Sequence, residues 1–462
     1  WPLDAEAAFG ALPTPLRMHA DPRFTGKGVK IALIDSGFYP HPDLVQPVNR
    51  IRTWVHAGDD PIQVRHFAPD ETVTWNGWDD GYPSHWHGMM TSTVAAGNGW
   101  LSHGLYRGLA SDAELVLIQI TDSRGWITGE GILRALRWLG DNAAELGVRV
   151  VNVSLGGDPV ERLAGNPVDA AVAELVRQGI CVVVAAGNNG ERQLFPPATA
   201  PEALTIGGLD DKNLFDHSQI EMWHSNYGEG VDSIAKPELV APSIWVVAPV
   251  LPGSNVAVEA ARLFARRAYR NSRRAEQIRG FKLINPHYQH ADGTSFAAPI
   301  TSSLIACMLE ANPALTPSLI YDILTQTAHL IPGVSSERQG YGAIEAGRAV
   351  ATALMERHQQ LVGYLQSPHV TEQQITFLLH DHGIQQVQVV GSWNDWQLPG
   401  LLGAQIEPGV WQVRTGRIPA GSYAYKFVLD GERSLHDPAN PRKIHDGWGG
   451  FNSLLIIEDE RF

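Results

Sequence analysis

Between residues 28 and 350 short β-rich runs alternate with helical patterns, and from about residue 367 only the runs remain. In the first stretch GVKIALID, AELVLIQI, GVRVVNVSLGG and ICVVVAAGNNG are almost continuously apolar, with helix-like segments such as TGEGILRALRWLGDNAAEL between them. Strands read this way when both of their faces are covered, so the pattern predicts an α/β domain: a parallel sheet flanked by helices. Three of these four runs end in Asp or Gly, residue types suited to the carboxyl edge where such sheets gather their chemistry. After residue 367, QITFLLH, QQVQVVGS, VWQVRTG, SYAYKFVLDG and NSLLIIED are separated by turn-rich loops and predict a small all-β domain. The segment ATALMERHQQLVGYLQSPHV begins as a helix and ends in a Ser-Pro turn, which sets the boundary near residue 366 and gives domains 1–366 and 367–462.

Composition narrows the function classes. The chain has 44% hydrophobic and 18% charged residues, a balance that fills cores and excludes extended disorder. Its net charge of −14 repels phosphate backbones, so no nucleic-acid partner is expected. Apolar runs such as Ile180 to Ala186 and Leu454 to Ile457 fall well short of the roughly 18 residues of a membrane span, and none is expected. Cys181 and Cys307 both lie in apolar stretches and read as core packing. Histidines show neither H-x-x-x-H nor cysteine-paired spacing, so no metal and no cofactor is called for. The chain starts at Trp1 without an initiator Met, which points to removal of a leading segment. The compartment stays open, with secretion favoured over the cytoplasm.

Three segments present the groups that acyl transfer needs, in the order Asp, His, Ser. Asp35 ends the strand of IALIDSGFYPHPDL; His87 precedes a Gly in HWHGMMTSTVAAGNG; Ser295 sits between a Gly-Thr turn and an apolar helix in GTSFAAPITSSLIACML. A buried carboxylate orients an imidazole, the imidazole activates a hydroxyl, and backbone N–H groups at a helix start face the charge that develops beside it. His85, two residues before His87, is the rival base.

These segments closely resemble those of the subtilisin-like serine peptidases, whose triad runs in this chain order. SLGG at Ser154 to Gly157, AAGNNG at Ala185 to Gly190, KPELVAP at Lys236 to Pro242 and GYGAIEAGRAV at Gly340 to Val350 are similar to further family signatures, in family order. The resemblance implies a serine endopeptidase acting on protein or peptide substrates, with Asp35, His87 and Ser295 catalytic and the Asn188 amide in the oxyanion hole. It also implies that Ser154, Leu155 and Gly156 line one side of the bound substrate and Ala185 and Gly187 the other. Three departures stand out. His87-Gly88 is followed by Met89 and Met90 instead of small polar residues; Glu191 and Arg192 stand near the expected pocket floor; and GNGWLSHGLYRG replaces a common calcium loop with few oxygen donors.

Residues 252–290 form an unusually long insertion containing VAVEAARLFARRAYRNSRRAEQIRG. At 100° per residue, Ala257, Ala261, Phe264, Ala268 and Ala275 share one face and Arg262, Arg266, Arg270 and Arg273 the other, a stripe suited to an anionic neighbour.

The C-terminal region is similar to the glycogen-binding module of AMP-activated kinase β subunits, family 48 of the carbohydrate-binding modules, which implies an immunoglobulin-like sandwich and α-glucan as a partner. Trp396 in NDW matches an aromatic platform, Lys426 the lysine of YKF, and Asn452 the terminal asparagine, with Trp448 near a further contact position. A second Trp platform is missing after the VLDG turn, where Glu432, Arg433, Ser434 and Leu435 stand.

Overall fold

The structure, a computed structural model, describes residues 10–73, 85–157, 165–215, 217–265, 272–363, 367–370 and 374–457 apart from the single residues 382, 408, 441 and 449. The chain divides into two compact units, Trp1–Leu354 and Met355–Phe462.

In the first unit the strands of the main sheet are β1 (Lys30–Asp35), β2 (Ile51–His56), β3 (Gln63–His66), β4 (Glu114–Gln119), β5 (Val148–Val153), β6 (Cys181–Ala185), β7 (Leu204–Asp210), β8 (Glu221–Met222) and β9 (Leu239–Pro242). They form one sheet in the order β9-β7-β6-β5-β1-β4-β2-β3, with β8 on β7. The pairs from β9 through to β2 are parallel, and only β3 and β8 run antiparallel to their neighbours. Alternate residues feed two cores. Ile31, Leu33, Leu115, Leu117, Val150 and Val183 pack with helices α1 (His85–Ala96) and α6 (Thr294–Ala311). Ala32, Ile34, Val116, Ile118, Val151 and Val184 pack with α2 (Gly129–Leu146) and α3 (Pro167–Arg177). This is why the runs are largely apolar: both faces of these strands are covered by helices.

Helix α6 differs from the sequence reading. Its 18 residues have a mean hydropathy of 1.2, enough by length and composition to cross a membrane, but 94% of the helix is buried inside the unit, as a core helix requires. Its neutral Thr and Ser residues interrupt the apolar letters, so no single long run is visible.

The insertion is framed by a hairpin of β10 (Val246–Pro249) and β11 (Tyr288–Ala291), and β11 leads within four residues to Ser295. It contains two described helices, α4 (Asn255–Phe264) and α5 (Ser272–Gly280), and not the one helix that the projection assumed. Their small core is Ala260, Leu263 and Ile278 with Val250 and Leu283, flanked by Val256, Ala257 and Phe264. Ala261 is exposed, because an alanine is too small for periodicity to fix its face. Arg262 pairs with Glu259 one turn away at 2.6 Å, which neutralises the start of the stripe. Arg266, Ala268, Arg270 and the side chain of Arg273 lie outside the described residues.

The second unit is antiparallel. Its main strands are β12 (Ile375–His380), β13 (Val387–Gly391), β14 (Leu401–Glu407), β15 (Val410–Thr415), β16 (Gly421–Leu429), β17 (Arg433–Leu435), β18 (Lys443–His445) and β19 (Phe451–Ile457). They run in the order β12-β15-β14-β13-β16-β19-β18, with β17 on β16. Strand β14 pairs with β13 through Leu401 and Leu402 and with β15 from Gly403 onward, so it passes from one layer to the other as in a sandwich. Phe377, Val389, Trp411, Val413, Tyr425, Phe427 and Leu455 fill the interior.

Candidate active site

The carboxyl ends of β1, β5 and β6 lie side by side, and the amino ends of α1 and α6 meet them. Asp35 closes β1 and is fully buried. Its Oδ1 accepts from the Ser36 N–H at 2.6 Å, and its Oδ2 accepts from the Thr91 hydroxyl at 2.8 Å. His87 Nδ1 lies 2.7 Å from Asp35 Oδ1. A carboxylate can only accept, so the Nδ1 proton is on the imidazole and Nε2 is left free to act as a base. Burial pulls the His87 pKa down, but the charge and hydrogen bond of Asp35 outweigh it and leave the pKa above the ordinary histidine value. The His85 ring lies against Gly37, where an added Cβ would come within 2.4 Å of it. Gly88 lets α1 approach, since a Cβ there would stand 2.1 Å from the Gly37 carbonyl oxygen. Met89 and Met90 are buried in the core beneath, where their thioethers serve as hydrophobic filling.

Ser295 is the second residue of α6. Its hydroxyl donates to the Ser154 carbonyl at 3.3 Å, while the Ser154 hydroxyl donates back to the Ser295 carbonyl at 3.0 Å. Asn152 Nδ2 supports Ser154 at 2.8 Å, so a buried polar chain from β5 underlies the serine. The next ring, Phe296, stands 6.2 Å from the His87 ring, and Trp86 stands 5.3 Å from it. Before the helix, Gly293 has φ +135°, a conformation glycine adopts readily and L side chains rarely do.

Asn188 is exposed just past β6. Its Oδ1 accepts from both the Thr294 N–H at 2.9 Å and the Thr294 hydroxyl at 2.8 Å. That fixes the amide orientation, because a backbone N–H demands an oxygen, and it leaves Nδ2 as a donor next to the nucleophile turn. A Cβ on Gly293 would be 3.5 Å from Nδ2 and 3.7 Å from the Ser295 backbone nitrogen, so both donors border one small space.

Around it, Gly156 is exposed, Leu155 is half-buried against the β5 core, and Ser154 points inward to the serine. Ala185 is buried in the core, and Gly187 is half-buried with its N–H bonded to Thr294 Oγ1 at 3.1 Å. Arg192 turns to Glu229 at 2.9 Å and Glu337 at 2.5 Å, and Glu191 is exposed. Thr91, Ser36, Asn152 and Thr294 were not singled out from the sequence. Thr91 was the accessible one, lying one helical turn after His87 on the same face.

The loop after α1 is bonded through protein groups. Asp43 Oδ1 accepts from the Leu101 N–H at 3.1 Å and Oδ2 from the Tyr288 hydroxyl at 2.7 Å. Among the described residues no three His, Cys, Asp or Glu side chains cluster as a metal site would need.

Comparison with known proteins decides the family, because residues 26–342 match the profile described as the subtilase family. The chain is a subtilase. Residues 375–462 match the profile of the glycogen recognition site of AMP-activated protein kinase. The subtilase is 28% identical to serine protease AprX of Bacillus subtilis (strain 168) over 336 residues, 71% of this chain and 67% of that protein. It is 27% identical to Subtilisin Savinase of Lederbergia lenta over 325 residues, 70% of this chain and 91% of that protein. Among solved structures, Sphericase superposes with a TM-score of 0.50 at 21% identity, covering 69% of this chain and 92% of its own. A protease of Pseudoalteromonas arctica PAMC 21717 does so at 0.51 and 22%, covering 74% and 94%. Both establish the fold.

In the second unit Trp396 is 39% exposed with φ +63°, and Trp448 is 94% exposed. Lys426 Nζ bonds Asp446 Oδ2 at 2.7 Å. Asn452 lies in β19, half-buried, paired with Ile444 of β18.

Proposed function

We propose that the subtilase is an active serine endopeptidase in which Asp35, His87 and Ser295 act as the triad. The observation that carries this reading is the 2.7 Å contact of His87 Nδ1 with the buried Asp35 carboxylate, which leaves Nε2 free to act as a base. Ser295 Oγ gives its proton to His87 Nε2 as it bonds to the substrate carbonyl carbon. The carbonyl oxygen takes the negative charge and is held by Asn188 Nδ2 and the Ser295 N–H. Collapse of this intermediate breaks the C–N bond, the His87 proton goes to the leaving amine, and an acyl-enzyme remains. Water then repeats the sequence through His87 and releases the acid. Substrate lies along Ser154, Leu155 and Gly156, with Ala185 and Gly187 opposite.

The second unit tethers the enzyme to α-glucan through Trp396, Lys426 and Asn452. Support comes from the profile match over residues 375–462 and from an exposed indole at Trp396 that the β core does not require.

Turnover of an unfolded protein such as reduced casein by the wild type and by Ser295→Ala tests the first reading. Loss of nearly all activity in the variant is expected. An inert wild type would favour a scaffold that binds glycan or protein.

A further inference from the structure

The glucan-binding reading leaves one feature of the second unit unexplained. The turn from Asp446 to Gly450, between β18 and β19, is built around a single carboxylate. Asp446 Oδ1 accepts from the Trp448 N–H and the Gly450 N–H, each at 2.9 Å, and the Asp446 N–H closes the turn onto the Gly450 carbonyl at 3.1 Å. Gly447 supplies a left-handed step at φ +82°, and a Cβ on Gly450 would stand 2.7 Å from Asp446 Oδ2. The other oxygen, Oδ2, takes Lys426 Nζ. These contacts, the Lys426 bond first, hold the Asp446 carboxyl down at about 2, so the knot stays charged at any physiological pH.

The knot positions what surrounds it. Lys426 is on β16 opposite Val390 of β13, and Tyr425 beside it pairs with Ser453 of β19, which puts Lys426 next to Asn452 on one face of the sheet. Ile444, 40% exposed, is paired with Asn452 on that same face. Beyond the end of β13 the chain turns into the loop that carries Trp396; beyond the start of β19 it turns into the knot that carries Trp448. The turns that carry the two indoles therefore lie at opposite ends of the Lys426–Asn452 pair. Trp448 makes the case for a ligand: a turn with this many bonds holds a large apolar ring almost fully in water, at a cost that core packing does not return.

We propose that Asp446 is a positioning residue that joins Lys426 and Trp448 into one α-glucan site, in which Trp448 is the second stacking platform and replaces the Trp absent after Leu429. The inference rests on the glucan-binding reading and narrows the ligand to a chain of linked glucose units, with one ring stacked on each indole.

The test uses full-length Ser295→Ala protein labelled with 5-fluorotryptophan, to prevent self-digestion, and maltoheptaose as the probe. The ¹⁹F resonances of Trp396 and Trp448 are assigned from Trp396→Phe and Trp448→Phe. Both resonances should shift with one shared Kd, and Trp448→Ala should weaken binding about tenfold. In Asp446→Ala the Trp396 resonance should still shift, at a Kd raised by a similar factor, while Trp448 no longer responds. Asp446→Asn, which keeps the turn's acceptor and loses the ion pair, should fall between the two and guards against a misfolded alanine variant. If Trp396 shifts and Trp448 stays still, the second platform is wrong and glucan binding stands. Should neither resonance move, the glucan reading itself fails. Wild-type affinity in both Asp446 variants would remove the positioning role.

Discussion

His87 Nδ1 sits 2.7 Å from Asp35 Oδ1, with the imidazole 20% exposed and the carboxylate fully buried. The pairing sets the sign of the pH dependence. Only neutral His87 accepts the serine proton, and its pKa is raised above the ordinary value of about 6.5. kcat/KM should therefore fall with acidification along a single limb whose midpoint lies above about 6.5. Asp35→Asn should move that limb to lower pH, because the carboxylate that raises the His87 pKa is gone, and lower kcat about 10⁴-fold, as the same change does in a triad of different fold. A midpoint clearly below 6.5 in the wild type would mean that another group titrates.

The oxyanion assignment is tested at Asn188. Asn188→Leu should lower kcat about 10² to 10³-fold with little change in KM, the loss expected when one oxyanion donor is removed. Thr294→Val should reproduce part of that loss, because Thr294 Oγ1 helps orient the amide. A KM effect alone would place Asn188 in substrate binding.

Gly88→Ala should destabilise the fold and lower activity. The added methyl would meet the Gly37 carbonyl at 2.1 Å, and backbone cannot yield as a flexible side chain can. A destabilisation of about 3 kcal/mol is expected, read as a fall in Tm; wild-type Tm would show that α1 is not tied to β1 as described.

Bonding of the loop after α1 predicts indifference to chelators. Both Asp43 oxygens already serve N–H and O–H donors, so EDTA should leave Tm unchanged. Tyr288→Phe removes one donor from a buried carboxylate and should cost about 1–3 kcal/mol. A Tm that drops with EDTA and recovers with calcium would overturn this.

How much of this was legible in the sequence depends on range. Asp35, His87 and Ser295 each end or begin an element within a local motif, so the amino-acid pattern alone places them at the sheet edge. The sheet was equally open, since burial on both faces leaves apolar runs. The Thr294–Asn188 contact joins positions 106 residues apart and has no local signal. Nor does the Lys426–Asp446 bond, because an isolated Asp in a Gly-rich turn reads as a turn former. The insertion was misread because alanines on every side of a short helix blur its apolar face: Ala260 is buried while Ala261 beside it is exposed.

The most direct test of the central claim is covalent labelling by a fluorophosphonate, which reacts with a serine only when a base activates it and an oxyanion hole receives the developing charge. Intact protein is treated at neutral pH and the modified peptide is read by mass spectrometry. The account predicts one adduct, on Ser295, that is lost in His87→Ala and retained in His85→Ala. An unlabelled wild-type protein, or an adduct that survives His87→Ala, would contradict it.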